Sequence, residues 1–172
     1  MTHPQERPRP LAPEPTPQFD LPDLRLIAEG LVESALLWPG MAQPPERTWS
    51  LMAASDAFEA WVIGWPPGGA IELHDHGSSA GVVAVAAGTL TEHAVSHDRG
   101  RVLSVTRRRV GVGSALTFPA GHVHDVVNAD DSPAVSVHVY APRLESMTHF
   151  RIDGHRLVRG RTILSPVSAD VA

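Results

Sequence analysis

From Thr48 to Tyr140 the chain runs as short valine- and alanine-rich stretches, most of them flanked by glycine, proline, asparagine or aspartate. This constrains the fold more than anything else in the sequence. The stretches from Trp49 to Ala53, Phe58 to Trp65, Ile71 to His76, Val82 to Ala87, Thr89 to Val95, Val102 to Val110, Ala115 to Phe118, His124 to Asn128 and Val135 to Tyr140 all have strand length. Pro66-Pro67-Gly68-Gly69 reads as a turn, and Asp98-Arg99-Gly100-Arg101 as a hairpin turn. Val82 to Ala87 is nearly all small and apolar, which predicts a strand buried on both faces. Strands of this length joined by short turns close into a sandwich or barrel.

One helix precedes them. Leu24, Ile27, Ala28, Leu31 and Val32 recur at helical spacing, and Asp20 or Asp23 can cap the start. Leu36, Leu37 and Trp38 extend the apolar face until Pro39-Gly40 stops it. Residues 1–19 carry six prolines and too little apolar surface to offset their ordering entropy, which predicts a disordered arm. Residues 20–165 then form one domain, and 166–172 a tail.

Net charge is -5, with 14 basic and 19 acidic residues, so nothing favours nucleic acid. Arg107-Arg108-Arg109 is read as a solvated edge strand. There is no cysteine, hence no disulfide and no thiolate ligand or nucleophile; a metal would have to use histidine or oxygen. No apolar signal core or spanning segment is seen, which predicts a cytoplasmic protein without membrane contact.

Two histidine-bearing segments lie among the strands. In His74-Asp75-His76, residues i and i+2 of a strand project from one face, so both imidazoles can aim at one point and Asp75 outward. The segment Pro119-Ala120-Gly121-His122-Val123-His124 offers two more, and His122 and His124 share parity. Neutral imidazole binds iron, copper, nickel and zinc.

These segments resemble the paired motifs of the cupin superfamily. The first reads Gly68, His74-Asp75-His76, Gly88; the second reads Gly113, Pro119, Gly121, His124, Asn128. That spacing selects His124 over His122. The usual cupin glutamate is missing, its place taken by Ala80 and Gly81. A cupin of this kind resembles the thiol dioxygenases, and Ser136-Val137-His138-Val139-Tyr140 is similar to the Ser-x-His-x-Tyr strand of the cysteine dioxygenase type I family. The resemblance implies a mainly β jelly-roll barrel and an enzyme in which His74, His76 and His124 hold Fe(II). It implies that O2 oxidises a small thiol, cysteine or an analogue, to the sulfinic acid. It makes Tyr140 a hydrogen-bond donor to dioxygen or substrate, oriented by His138, itself oriented by Ser136, with Trp65 in the pocket.

Gly81 stands where animal-type relatives carry a cysteine crosslinked to the tyrosine, so no crosslink can form. Counting back from His74 puts Thr48 where the family has its carboxylate-binding arginine; Arg47 adjoins it and is the expected substrate ligand. Arg143 and Arg151 follow the tyrosine strand without matching a second known placement. Asn128 is expected to satisfy backbone groups in a turn. His93, His97, His149 and His155 are expected at the surface or in structural roles. The assembly is expected to be a monomer or homodimer. Two other readings use the same histidines: a non-catalytic cupin that binds metal or a small ligand, and a zinc enzyme that activates water.

Overall fold

A computed structural model describes residues 18–165. Residues 1–17 of the expected arm and the tail at 166–172 lie outside the described residues. Phe19 packs edge-on against Phe58, with ring centroids 5.3 Å apart.

Helix α1 (Leu21–Leu36) opens with a capping box: Asp23 N–H donates to the Asp20 carboxylate, and Asp20 N–H to that of Asp23. Two of the helix's orphan amide donors are thereby satisfied. Leu24, Ala28 and Ala35 are buried. The apolar face ends earlier than expected. Leu37 caps the C-terminus and is 86% exposed, and Leu36 is exposed too; only Trp38 turns back to the core. No helix among the described residues is long and apolar enough to cross a membrane.

Eleven strands follow: β1 (Thr48–Ala54), β2 (Glu59–Trp65), β3 (Ala70–His74), β4 (Ala80–Ala87), β5 (Thr89–Asp98), β6 (Arg101–Gly111), β7 (Ala115–Phe118), β8 (Val123–Val127), β9 (Ala134–Ala141), β10 (Ser146–Asp153) and β11 (Arg156–Leu164). They build the mainly β cupin architecture that the motifs imply. One sheet has the order β1-β2-β9-β4-β7; the other strands close as β10-β11-β6-β5-β8-β3. The strands pair antiparallel throughout, as the short turns predict.

Strand β4 is buried on both faces. Val82, Ala84 and Ala86 join the cluster under α1, while Val83 and Val85 join Trp65, Phe118 and Tyr140 in the second cluster. Period-2 alternation thus serves two cores at once. The β5–β6 hairpin turns on Arg99 (φ 46) and Gly100 (φ 79), the two positive φ angles that a tight type I′ turn needs.

The strand pattern legible in the sequence ends at Tyr140 and misses the β10–β11 hairpin. Its strands mix exposed charged positions with apolar ones, so no continuous apolar run announces them. Gly154-His155, with glycine (φ 58) at the first central position of the turn, was the available signal. A second correction concerns β3, which ends at His74 rather than His76. Asp75 N–H donates to the Thr148 carbonyl, and the Asp75 carboxylate accepts from Gly77 and Thr148 N–H, so the aspartate ties this strand end to β10.

Candidate metal centre

Two strand ends and the loop after one of them bring the histidines together. His74 is the last residue of β3 and pairs across to His124 on β8; His76 stands two residues past the strand. All three side chains are buried. Their ring centroids lie 4.7 Å (His74–His76), 4.9 Å (His74–His124) and 5.2 Å (His76–His124) apart.

The tautomers follow from the neighbours. His74 Nδ1–H donates to the Glu72 carbonyl at 2.7 Å, and His124 Nδ1–H to Glu92 Oε1 at 2.8 Å. Each ring is left with a bare Nε2. His124 Nε2 is buried with no hydrogen-bond partner among the described residues, and His74 Nε2 stands 3.1 Å from His76 Nε2. Two bare lone pairs at that separation repel unless a proton or a cation lies between them. Nitrogens bound at ~2.1 Å to one ion and about a right angle apart stand roughly 3 Å from each other. The donor set therefore fits a divalent cation, and these three ligand atoms all lie within 4.8 Å of one another. Burial, then the neighbouring imidazoles, pushes the pKa values of His74 and His76 well below the usual histidine value. The rings are neutral, as ligands must be.

Beside the histidines runs a buried hydrogen-bond chain on β9 and β2. Trp65 Nε1–H donates to Ser136 Oγ at 2.8 Å. Ser136 Oγ lies 2.9 Å from His138 Nε2, and His138 Nδ1 lies 3.2 Å from the Tyr140 hydroxyl. Indole is a donor only. It fixes Ser136 as its acceptor; the direction that leaves a proton for the cavity is the one in which the serine hydroxyl donates to His138 Nε2. The imidazole then carries its own proton on Nδ1 and donates to Tyr140 oxygen. The tyrosine proton is left free to point into the cavity. Burial, then the nearby charges of His124 and Arg47, lowers the His138 pKa to about 3. Burial, with the Glu59 carboxylate, raises that of Tyr140.

The histidines, His138 and Tyr140 line one cavity of about 280 Å³, together with Arg47, Trp49, Trp61, Ile63, Trp65 and residues of the β10–β11 hairpin. Arg47 lies over the rings of Trp49 and Trp65, at 4.9 and 5.5 Å from their centroids. Trp61, Ile63 and Trp65 share a face of β2, as parity requires. Arg161 lines the cavity too, and sequence reasoning missed it along with its strand. The other two arginines weighed are engaged elsewhere. Arg143 Nε is 3.6 Å from the buried Glu59 carboxylate, and Arg151 pairs with Asp153 at the surface. His149 is no plain surface residue, since it lines the cavity next to His74. Asn128 holds a turn as expected, donating to the carbonyls of Trp65, Pro66 and Ser132. Gly81 is the cross-strand partner of Tyr140, and a Cβ there would stand 2.5 Å from Phe118 Cζ. Phe118 fills the space a side chain at that position would need.

Glu92 was also missed. It is fully buried on β5, where its carboxylate accepts from His122, His124 and Arg108. Burial alone would raise its pKa; the hydrogen bonds from His122 and His124 and the Arg108 charge hold it well below the usual carboxylate range. Arg108 and Arg109 are thus more than a solvated row: one pairs with Glu92, the other with Asp130.

A model of the family described as cysteine dioxygenase type I matches residues 33–152. Among solved structures, the chain is similar to TT1209 from Thermus thermophilus, with 24% identity over 59% of this chain and 89% of that one and a TM-score of 0.50. It is also similar to KdgF from Halomonas sp. (17% identity, 58% of this chain, 81% of that one, TM-score 0.49). A third is the Cnp3 cupin domain of Schizosaccharomyces pombe (12% identity, 55% of this chain, 60% of that one, TM-score 0.48). These likenesses are ones of fold.

Proposed function

This chain belongs to the cysteine dioxygenase type I family, and on that premise we propose that it oxidises a small thiol with O2 to the sulfinic acid at Fe(II) held by His74, His76 and His124. The reaction balances without a further reductant: one thiol and one O2 give one sulfinic acid. The observation that carries the reading is that three buried imidazoles and the Trp65–Ser136–His138–Tyr140 chain open on one small cavity beside Arg47.

When bound, ferrous iron supplies the one-electron chemistry that lets O2 react with a thiol. The rest is work for this chain's own residues. Three neutral imidazoles put no charged ligand directly on the ion, unlike a two-histidine, one-carboxylate face, so an anionic thiolate is favoured beside them. Arg47 holds the substrate carboxylate, and its guanidinium is kept in place by stacking on Trp49 and Trp65. Arg161 adds positive charge to the lining. Among the described residues no carboxylate side chain lines the cavity, so a substrate carboxylate finds Arg47 and Arg161 there and an ammonium group finds no counter-charge. Cysteine and 3-mercaptopropionate are the natural pair to compare. Tyr140 donates its free proton into the cavity, held in direction by His138 and Ser136. The apolar walls, among them Ile63, Ile71 and Val126, keep water away from these polar groups.

The test is oxygen uptake by anaerobically iron-loaded protein against a panel of small thiols, with the product identified by mass. One O2 consumed per sulfinate formed is the expected result. No uptake with any thiol by fully loaded protein defeats the reading.

A further inference from the structure

We propose that Glu92 is a positioning residue of the metal centre: it fixes His124 through Nδ1 and lends the three-imidazole face the negative charge its ligand set lacks. The inference rests on the three-histidine site proposed above and concerns a residue outside that ligand set.

The arrangement follows from register. On β5, Ala94 is opposite His124 of β8, which puts Glu92 on the diagonal from it; across the other edge, Glu92 is opposite Arg108 of β6. The side chain is 0% exposed, yet both its oxygens are satisfied. Oε1 accepts from His124 Nδ1–H at 2.8 Å and from His122 Nε2–H at 3.0 Å, while Oε2 accepts from Arg108 at 2.8 Å (Nε) and 2.6 Å (Nη2). A buried carboxylate is costly unless fully paired, and here β6, β8 and the residue just before β8 supply every partner.

The three ligand rings differ in what holds them. His74 donates to a backbone carbonyl, His76 Nδ1 has no partner among the described residues, and His124 alone donates to a charged group. A carboxylate on Nδ1–H draws the proton towards itself and makes Nε2 a stronger donor. The charge that a ligating glutamate would place on the ion is thus placed one imidazole away. Glu92, His122 and His124 also lie close enough to suggest a cation site of their own. Arg108 argues against that, because its guanidinium already occupies the second oxygen.

The experiment is cobalt(II) binding to wild type and Glu92→Gln, by competition with a chelator at fixed pH, together with the reduction potential of the iron-loaded proteins. Glutamine keeps the size and loses the charge. The expected result is ~10–100-fold weaker cobalt binding and a potential moved to more positive values. A merely structural role would leave the potential unchanged. Because Glu92→Gln strands a guanidinium, the double variant Glu92→Gln/Arg108→Met is measured beside it and should show the same changes. Unchanged affinity and potential overturn the proposal, as does failure of both variants to fold, which would make the residue a core element only. Wild-type protein that binds no cobalt sinks the three-histidine reading itself, and the metal role of Glu92 with it.

Discussion

His122 and His124 show how much rests on one pair of atoms. Both point inward from the same segment, yet His124 turns a bare Nε2 to the other two imidazoles, while His122 stacks on Phe118 and spends its Nε2 on Glu92. His124→Ala should therefore abolish metal loading and His122→Ala should retain most of it, as read by metal content after anaerobic loading; equal loss would reverse the assignment. Tyr140→Phe removes only the terminal hydroxyl of the β9 chain. It should keep its iron and turn over ~10–100-fold more slowly, and full kcat would remove the tyrosine proton from the reaction. His138 also sets a pH dependence. Its folded pKa of about 3 lies below the ordinary 6.5, so the unfolded chain binds a proton that the folded protein refuses. The stability it confers is complete above about pH 6.5 and is lost as pH falls towards 3. Urea midpoints measured at descending pH should fall across that window, and less steeply in His138→Gln.

At the level of elements, β4 decides how closely the two layers approach. Its residues are small because α1 lies on one face and the cavity's aromatic wall on the other. Gly81 is the tightest point, since an added Cβ would meet Phe118 Cζ at 2.5 Å, Phe118 Cε2 at 2.6 Å and Tyr140 Cδ1 at 3.0 Å. Gly81→Ala should cost ~1–3 kcal/mol in urea denaturation, in the manner of an overpacked core. Phe118→Leu in the same chain should return part of that loss, and a Gly81→Ala protein as stable as wild type would show that Phe118 yields freely. The β10–β11 hairpin completes the cavity with Leu144, Met147, Arg161 and Ile163 on or beside its strands. Its irregular mix of charged and apolar positions, with a register shift between Thr148 and Phe150, left it the least legible part of the fold.

For the molecule as a whole, a cation that binds the folded site alone should stabilise by mass action. An excess of ~100 Kd adds about 2.7 kcal/mol. Thermal midpoints should rise with cobalt, fall with a chelator, and respond to neither in His124→Ala; a response that survives that substitution would place the cation elsewhere. The mainly β class, most strand positions, the capped first helix, the three histidines and the order Ser136-His138-Tyr140 are all legible in the amino-acid sequence. All of these are written in local periodicity or in spacing along the chain, and a strand's period of two carries them directly into space. Long-range packing was needed to show that Arg47 reaches the cavity while Arg143 and Arg151 do not, that Arg161 and His149 join it, and that Glu92 stands behind His124. Those facts depend on which strands become neighbours and in what register. Barrel closure sets both through contacts far apart in the chain, which no local pattern records.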